Sequence, residues 1–296
     1  MTLRFILALA LWCCAGLAQA QAAPVTIAKA EAVRSDWNAQ TPPREGWVPV
    51  TLMDQWQARW PQHDGVVWYR LRWQQADAHA PTGLLIDYIC MAGAMYLNGS
   101  LIGRDRSLAE PLSRAWIAPQ YYLLDAPLLK PGQNELLVRV SGLTAYQPAF
   151  GTVTMGDPAQ VQALYRASKR VRFDLQMLDT AIGAVLMAMF GLFWLLRRQD
   201  TTYGWYAANG LFGMLYGLNW VKASPWPFAS TDAWQAFVGA CYFAMATCYS
   251  IFLLRFADRR WPRYERGMLG IAACVFVLAL LLPQLMARSA MPTSCR

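Results

Sequence analysis

Charge is scarce in this chain. Only 15% of its 296 residues are Asp, Glu, Lys or Arg, and 56% are apolar, whereas soluble globular proteins carry about 25% charged residues. The balance is too apolar for an ordinary soluble protein. Histidine is scarcer still: His63 and His79 are the only two. Each lies in polar surroundings, apart from any Cys or other His, so both are expected at the surface. Both also precede the apolar segments, so no histidine phosphoacceptor follows them. The seven cysteines build no framework. Cys13 and Cys14 fall in the leader, Cys241, Cys248 and Cys274 in apolar runs, and Cys90 and Cys295 stand alone, which excludes paired disulfide or zinc-ligand spacing. A Gly-rich ATP-binding box, a GGDEF-like run and a P-loop are all missing. No metal and no cofactor is expected. The formal charge of +8 does not form one basic patch, so nucleic acid is not an expected partner; many arginines instead flank apolar runs, where they mark the cytoplasmic side of a membrane.

What the chain does have is long apolar runs. Residues 180–196, TAIGAVLMAMFGLFWLL, carry no charge and are closed by Arg197 and Arg198. A helix needs about 20 apolar residues, with about 17 the lower limit, to cross a bilayer core. Four membrane spans are expected, at about 177–196, 203–221, 234–254 and 267–285, followed by a short tail, 286–296. Tyr203, Trp205, Trp220, Trp234 and Trp261 near their ends fit interfacial anchors. Gly213 and Gly217 have the spacing for close helix approach. Asn209 and Asn219 are expected to hydrogen-bond inside the bundle, and the middles of the spans lack the charges a transport site needs.

Residues 1–22 read as a secretory signal peptide: Arg4, an apolar core over 5–17, and Ala18-Gln19-Ala20 as a small-x-small cleavage signal. Loop charge agrees with that reading. Arg197 and Arg198 follow the first span and Arg255, Arg259, Arg260, Arg263 and Arg266 follow the third, against Lys222 after the second. This puts the first and third loops in the cytoplasm and the N-terminal domain outside. The expected location is a bacterial inner membrane with that domain in the periplasm. Four crossings would return residues 292–296 to the outside.

Residues 37–157 carry strand signals. The run 66–73, VVWYRLRW, is β-branched and aromatic and then alternates; 84–89 is a second strand; Asn98-Gly99 between apolar runs marks a hairpin; and Pro131-Gly132 is a turn leading into a strand at 135–141. Short strands at this spacing predict a β-sandwich. Trp68-Tyr69-Arg70, then Tyr96-Leu97-Asn98-Gly99-x-x-Ile102-Gly103, then Pro131-Gly132-x-Asn134-x-Leu136-x-Val138, resembles the sugar-binding jelly roll of glycoside hydrolase family 2, with Asp54-x-Trp56 at its entrance. The same galactose-binding-like fold is found as an extracellular domain of bacterial seven-transmembrane receptors with diverse intracellular signalling modules. The resemblance covers roughly residues 45–157.

The fold expected is therefore a galactose-binding-like jelly roll followed by an α-helical transmembrane bundle. Among the carboxylates Asp54, Asp64, Asp87, Asp105 and Glu110, no pair has a spacing that sequence can set across a glycosidic bond. In the resembled hydrolases this domain is an accessory without the catalytic acids, so no catalytic residue is named here. Trp116, Tyr121, Tyr122 and Tyr146, in or near predicted loops, are candidates to stack on a sugar, or else to pack in the core or against the membrane-proximal surface. Arg104, in Arg104-Asp105-Arg106, is a candidate to bond a polyol or carboxylate. The ligand-binding set is Arg104, Trp116, Tyr121 and Tyr146. A connecting helix over 158–176 exposes Arg166, Lys169, Arg170 and Arg172, and either transmits domain movement or rests at the lipid headgroups.

The resemblance implies the sensory half of a receptor of the histidine kinase or diguanylate cyclase type, without its effector. Its expected partners are the bilayer, a small-molecule or carbohydrate ligand, and a second copy or a separate signalling protein. A membrane-anchored carbohydrate-binding or envelope-adhesion protein is the alternative.

Overall fold

The computed structural model describes residues 23–289 apart from residue 78. The expected leader, 1–22, and residues 290–296 of the expected tail lie outside the described residues.

Twelve strands build the N-terminal half, all paired antiparallel. β2 (Lys29–Ser35), β3 (Val48–Thr51), β5 (Gly65–Gln75), β7 (Ala92–Leu97), β8 (Ser100–Arg104) and β10 (Gly132–Gly142) form a sheet in the order β3-β2-β5-β10-β7-β8. β1 (Val25–Ile27), β6 (Thr82–Ile86), β9 (Gln120–Leu124) and β12 (Val153–Gly156) form a second, β1-β12-β6-β9. β4 (Asp54–Gln55) pairs with β11 (Ala149–Phe150). One core joins the two larger sheets: Val67, Tyr69, Leu71, Val138 and Val140 from the first and Leu84, Ile86 and Val153 from the second are all buried. Alternation along β5 makes this a sandwich. Val67, Tyr69 and Leu71 join that core, while Val66 and Trp68 join a smaller cluster with Val33.

The motif residues turn out to be fold residues. Asn98 and Gly99 both have positive φ, 50° and 86°, as a two-residue hairpin turn with the right twist requires. The Asn98 side chain also donates to Leu128 O at 2.8 Å and to Asn134 Oδ1 at 2.7 Å, and accepts from Glu135 N at 3.0 Å. Asn134, fully buried, donates to Lys130 O at 2.6 Å. The two asparagines thus pin the 98–99 hairpin to the 128–134 turn.

Three differences from the sequence reading concern the sandwich. Two strands, β1 and β2, precede residue 37; β2 pairs with the central β5 from Glu31 to Ser35, so the β domain begins near residue 25. The second expected strand ends at Ile86, not residue 89, and Ile89 makes only an isolated bridge to Phe150. Tyr121 and Tyr122 lie within β9, paired with β6, and not in a loop. His63 also departs from expectation. It is half-buried, lies against Trp56 and Trp60, and its Nε2 is 3.0 Å from Val66 O. His79 is exposed as expected.

The C-terminal half is helical: α1 (Pro158–Lys169), a π-turn at Arg170–Asp174, α2 (Leu175–Leu196), α3 (Thr201–Val221), α4 (Thr231–Phe256) and α5 (Pro262–Ser289). Each of α2 to α5 packs on the next in sequence. Among the described residues three helices are long and apolar enough to cross a membrane: Pro158–Leu196, Thr231–Phe256 and Pro262–Leu282. The apolar stretch of the first buries none of its residues inside the structure, so its surface calls for lipid or another helix. α3 has the length, 21 residues, but is diluted by Gly, Asn, Tyr and Trp. The loop after α2, the last turn of α4 and the loop after it line one polar pocket through Arg197, Arg255, Arg259 and Arg260. That Arg-rich end is opposite the end that meets the sandwich.

Candidate functional site

The sandwich is fastened to the helices at two places, and the site lies between them. At the first, Asp157 caps α1 by accepting from Ala159 N at 3.0 Å and Gln160 N at 3.1 Å, with Pro158 in the first turn. Val161, fully buried, presses on β6 where Gly83 leaves room; a Cβ there would stand 2.9 Å from the Val161 Cβ. Two to three turns further on, Ser168 Oγ donates to Asp87 Oδ1 at 3.0 Å and Arg172 Nη2 to Asp87 Oδ2 at 2.7 Å, and Arg172 also reaches the Asp87 carbonyl. Arg172, expected to be exposed, is thus tied to the sandwich. The connecting helix is not a separate short element, since it runs unbroken through the π-turn into the first span as Pro158–Leu196. A π-turn inside a helix widens it by one residue and often marks a functional position.

The second fastening is the 105–117 loop seated on the α3–α4 connection. Glu110 Oε2 accepts from Thr231 N at 2.9 Å, Leu112 N donates to Thr231 Oγ1 at 3.1 Å, and Arg114 N donates to Ala223 O at 2.9 Å. The Arg114 side chain is fully buried. Its Nη2 donates to Asn219 O and Oδ1, each at 2.5 Å, and its guanidinium lies 5.0 Å from the Trp116 ring and 5.2 Å from the Trp234 ring. Trp234 Nε1 donates to Asn219 Oδ1 at 3.2 Å, so the asparagine holds cation and indole together. No carboxylate pairs with Arg114 among the described residues, and burial pulls its pKa down from 12.5 to about 10.

Between the two fastenings opens a cavity of about 440 Å³ lined by Gln55 and Tyr88 of the sandwich, Trp116 of the loop, Arg172 and Gln176 of the continuous helix, and Trp220 of α3. The volume falls within the range of small-molecule sites. Trp116 stands edge-on to Trp220 at 5.1 Å, and Arg172 lies 5.8 Å from the Tyr88 ring. Burial raises the Tyr88 phenol well above its ordinary pKa, with the neighbouring Cys90 thiol adding to the shift. Flat rings, two amides and a half-buried guanidinium suit a ligand with one apolar face and hydrogen-bonding or anionic edges.

Of the ligand-binding set Arg104, Trp116, Tyr121 and Tyr146, Trp116 alone lines this cavity, joined by Arg172 and by Trp220, expected as an interfacial anchor. Tyr121 stacks on Tyr165 of α1 at 5.8 Å and its hydroxyl donates to Pro158 O at 3.4 Å. Tyr146 donates to Asp232 of α4, and burial together with that carboxylate raises its pKa. Arg104 is exposed at the end of the edge strand β8. The four are not gathered into one platform, and three of them contact helices. Tyr88 and Arg114 escaped the sequence reading, and nothing local marks Arg114. Arg172 is named there as an exposed base of a helix that either transmits domain movement or rests at the headgroups, without its tie to Asp87.

The five carboxylates are structural acceptors. Asp54 takes both Arg59 nitrogens, at 2.7 and 2.6 Å, and the Tyr69 hydroxyl at 2.8 Å. Asp64 accepts from Thr144 N at 2.6 Å, Asp105 from Gly93 N at 2.7 Å, and Asp87 and Glu110 hold the fastenings. No group of three His, Cys, Asp or Glu among the described residues could hold a metal ion.

No protein-family model and no curated protein matches this chain. Solved structures with a similar part include a β-glucuronidase of Faecalibacterium prausnitzii, at 14% identity and TM-score 0.36, over 46% of this chain and 32% of that one. A GH2 β-galacturonidase of Eisenbergiella tayi bound to galacturonate is 12% identical, with TM-score 0.34, over 45% and 24%. A glycosyl hydrolase family 2 member from Bacteroides cellulosilyticus is 16% identical, with TM-score 0.36, over 46% and 20%. The match spans 32% or less of each of these three chains. All are glycoside hydrolase family 2 proteins or glucuronidases, the group that the hairpin and turn motifs resemble.

Proposed function

We propose that this chain is the sensory part of a membrane receptor. A galactose-binding-like jelly roll, held in the periplasm of a bacterial inner membrane, detects a small molecule, and the helices carry the change across the bilayer. This is the arrangement of the seven-transmembrane receptors that the sequence resembles, and that resemblance makes a carbohydrate the first ligand class to try. The Arg-rich end opposite the sandwich supports this orientation. A second copy or a separate signalling protein would receive the signal.

The observation that carries this reading is the double fastening. The helix Pro158–Leu196 is continuous from the surface of β6 into the first span, and Arg114 ties a sandwich loop to α3 and α4. A ligand in the cavity between them would touch both halves, so its affinity can differ between two helix arrangements, which is what a shift in population requires. A membrane-anchored carbohydrate-binding or adhesion protein, the other reading, needs only a tether.

The test uses the full chain in lipid nanodiscs, cysteine-free except for spin labels at Gln133→Cys on the sandwich and Gln199→Cys at the Arg-rich end. Binders found on an array of mono- and oligosaccharides are added and the label distance is measured. A shifted distance distribution supports the receptor. Binding without a shift supports the tether, and an array with no binder removes carbohydrate as the ligand class.

A further inference from the structure

A second cavity lies deeper, between α2 and α3, with a volume of about 350 Å³. It shares Gln176 and Trp220 with the junction cavity but is otherwise lined by the bundle. Besides the tyrosines, four polar side chains line it, Gln176, Asp179, Thr180 and Asn209. Thr180 is spent on Gln176 O at 2.8 Å, whereas among the described residues neither the exposed Asp179 nor Asn209 has a hydrogen-bond or ion-pair partner. Asp179 lies in the outermost turns of the first span, where an ionisable group is costly unless it has something to bind. Three aromatic rings complete the wall: Tyr206, Tyr216 and Trp220. Each is braced from behind, Tyr206 by Phe190 at 4.3 Å, Tyr216 by Tyr242 at 5.2 Å and Trp220 by Trp116 at 5.1 Å. Gly183 lines the cavity with open space beside it: a Cβ there would meet nothing within 4 Å. Among the described residues no Lys or Arg lines the cavity, so none of them neutralises the carboxylate there or favours an anion.

From this arrangement we infer that the α2–α3 cavity binds an ammonium group carried on a small apolar body, held by the Asp179 carboxylate and the rings of Tyr206, Tyr216 and Trp220. One carboxylate with several aromatic faces is the combination that recognises alkylammonium and quaternary ammonium ions, because the ring quadrupole attracts the diffuse charge that water solvates weakly. Asn209 adds an amide oxygen for an N–H donor or a hydroxyl. The same chemistry has two sources: a free amine entering from outside, or the headgroup of phosphatidylethanolamine.

The experiment reads binding alone, so its outcome is independent of whether the chain signals. The full chain is placed in phosphatidylglycerol nanodiscs and titrated with benzyltrimethylammonium, following tryptophan fluorescence against empty discs. Saturable binding is expected, with 3-phenylpropan-1-ol, neutral and of similar size, weaker by about tenfold or more. Asp179→Asn keeps the shape and should weaken the cation about tenfold while leaving the alcohol unchanged. Gly183→Leu fills the cavity without a clash at Cβ and should abolish both. Each variant is first shown to elute as the wild type does. Adding phosphatidylethanolamine then separates the sources: competition assigns the lipid amine, and an unchanged affinity assigns a free one. No saturable binding, equal affinity for the alcohol, or an Asp179→Asn variant that binds as the wild type does would each overturn the assignment.

Discussion

The buried Arg114 offers the sharpest test of how the two halves are joined. Its pKa, lowered from 12.5 to about 10 by burial, sets the cost of burying the charge at about 3 kcal/mol. Against this stand the charge-assisted hydrogen bonds to Asn219, about 2 kcal/mol together, and two ring faces, about 1 kcal/mol each. The charge is therefore ahead by only about 1 kcal/mol, as buried ion sites often are. Two variants separate charge from packing. Arg114→Met keeps most of the stem between Trp116 and Trp234 and should loosen the loop by about 1 kcal/mol, a factor of about 5. Arg114→Ala opens a void between the two indoles and should cost about 3 kcal/mol, a factor of about 100.

The assay is hydrogen–deuterium exchange of the full chain in nanodiscs, read at the amides of residues 112 and 114. In the wild type these donate to Thr231 Oγ1 and Ala223 O, so they report whether the loop is seated. If Met speeds exchange as much as Ala, charge rather than packing holds the joint and the reasoning fails. If neither variant changes exchange, the loop is not seated on the helices at all.

Two further outcomes follow from groups outside the junction. Burial holds the Asp105 carboxyl up at about 6, against an ordinary 3.8; the folded state binds this proton more tightly than the unfolded one, so the wild type loses stability as pH rises from about 4 through 6. Asp105→Asn still accepts from Gly93 N and carries no charge, so it should be more stable than the wild type by about 1–2 kcal/mol at pH 8, with the gap shrinking at pH 4.5. Thermal unfolding at both values checks this, and an equal gap at both would refute it. For orientation, Arg260→Cys in a cysteine-free chain should react with an impermeant maleimide only after the inner membrane is permeabilised. Labelling in intact cells with only the outer membrane opened would reverse the topology.

Much of the architecture was legible because it rests on local patterns. The alternation of β5, the Asn98-Gly99 turn and the uncharged run closed by Arg197 each carry their meaning within a few residues. The junction was not legible, for the opposite reason. Arg114 meets Asn219 across 105 residues and Tyr146 meets Asp232 across 86, and nothing in the neighbourhood of either partner announces the other. Trp116, a candidate either to stack on a sugar or to pack against the membrane-proximal surface, is a wall of the joint. Tyr121 is expected in or near a loop, yet pairing with β6 makes it a strand residue.

By itself, the sequence determined that this protein has a β-rich half, an apolar helical half, and arginines on alternate loops, since these follow from hydrophobic periodicity and charge placed along the chain. Only the tertiary structure decided that the connecting segment is continuous with the first span. It likewise decided that Arg172 turns back to Asp87, and that cavities open where the halves meet and where α2 passes α3. Those features come from packing between residues far apart in the chain, where a buried cation, a missing side chain or an aromatic ring takes its role from what lies across the gap.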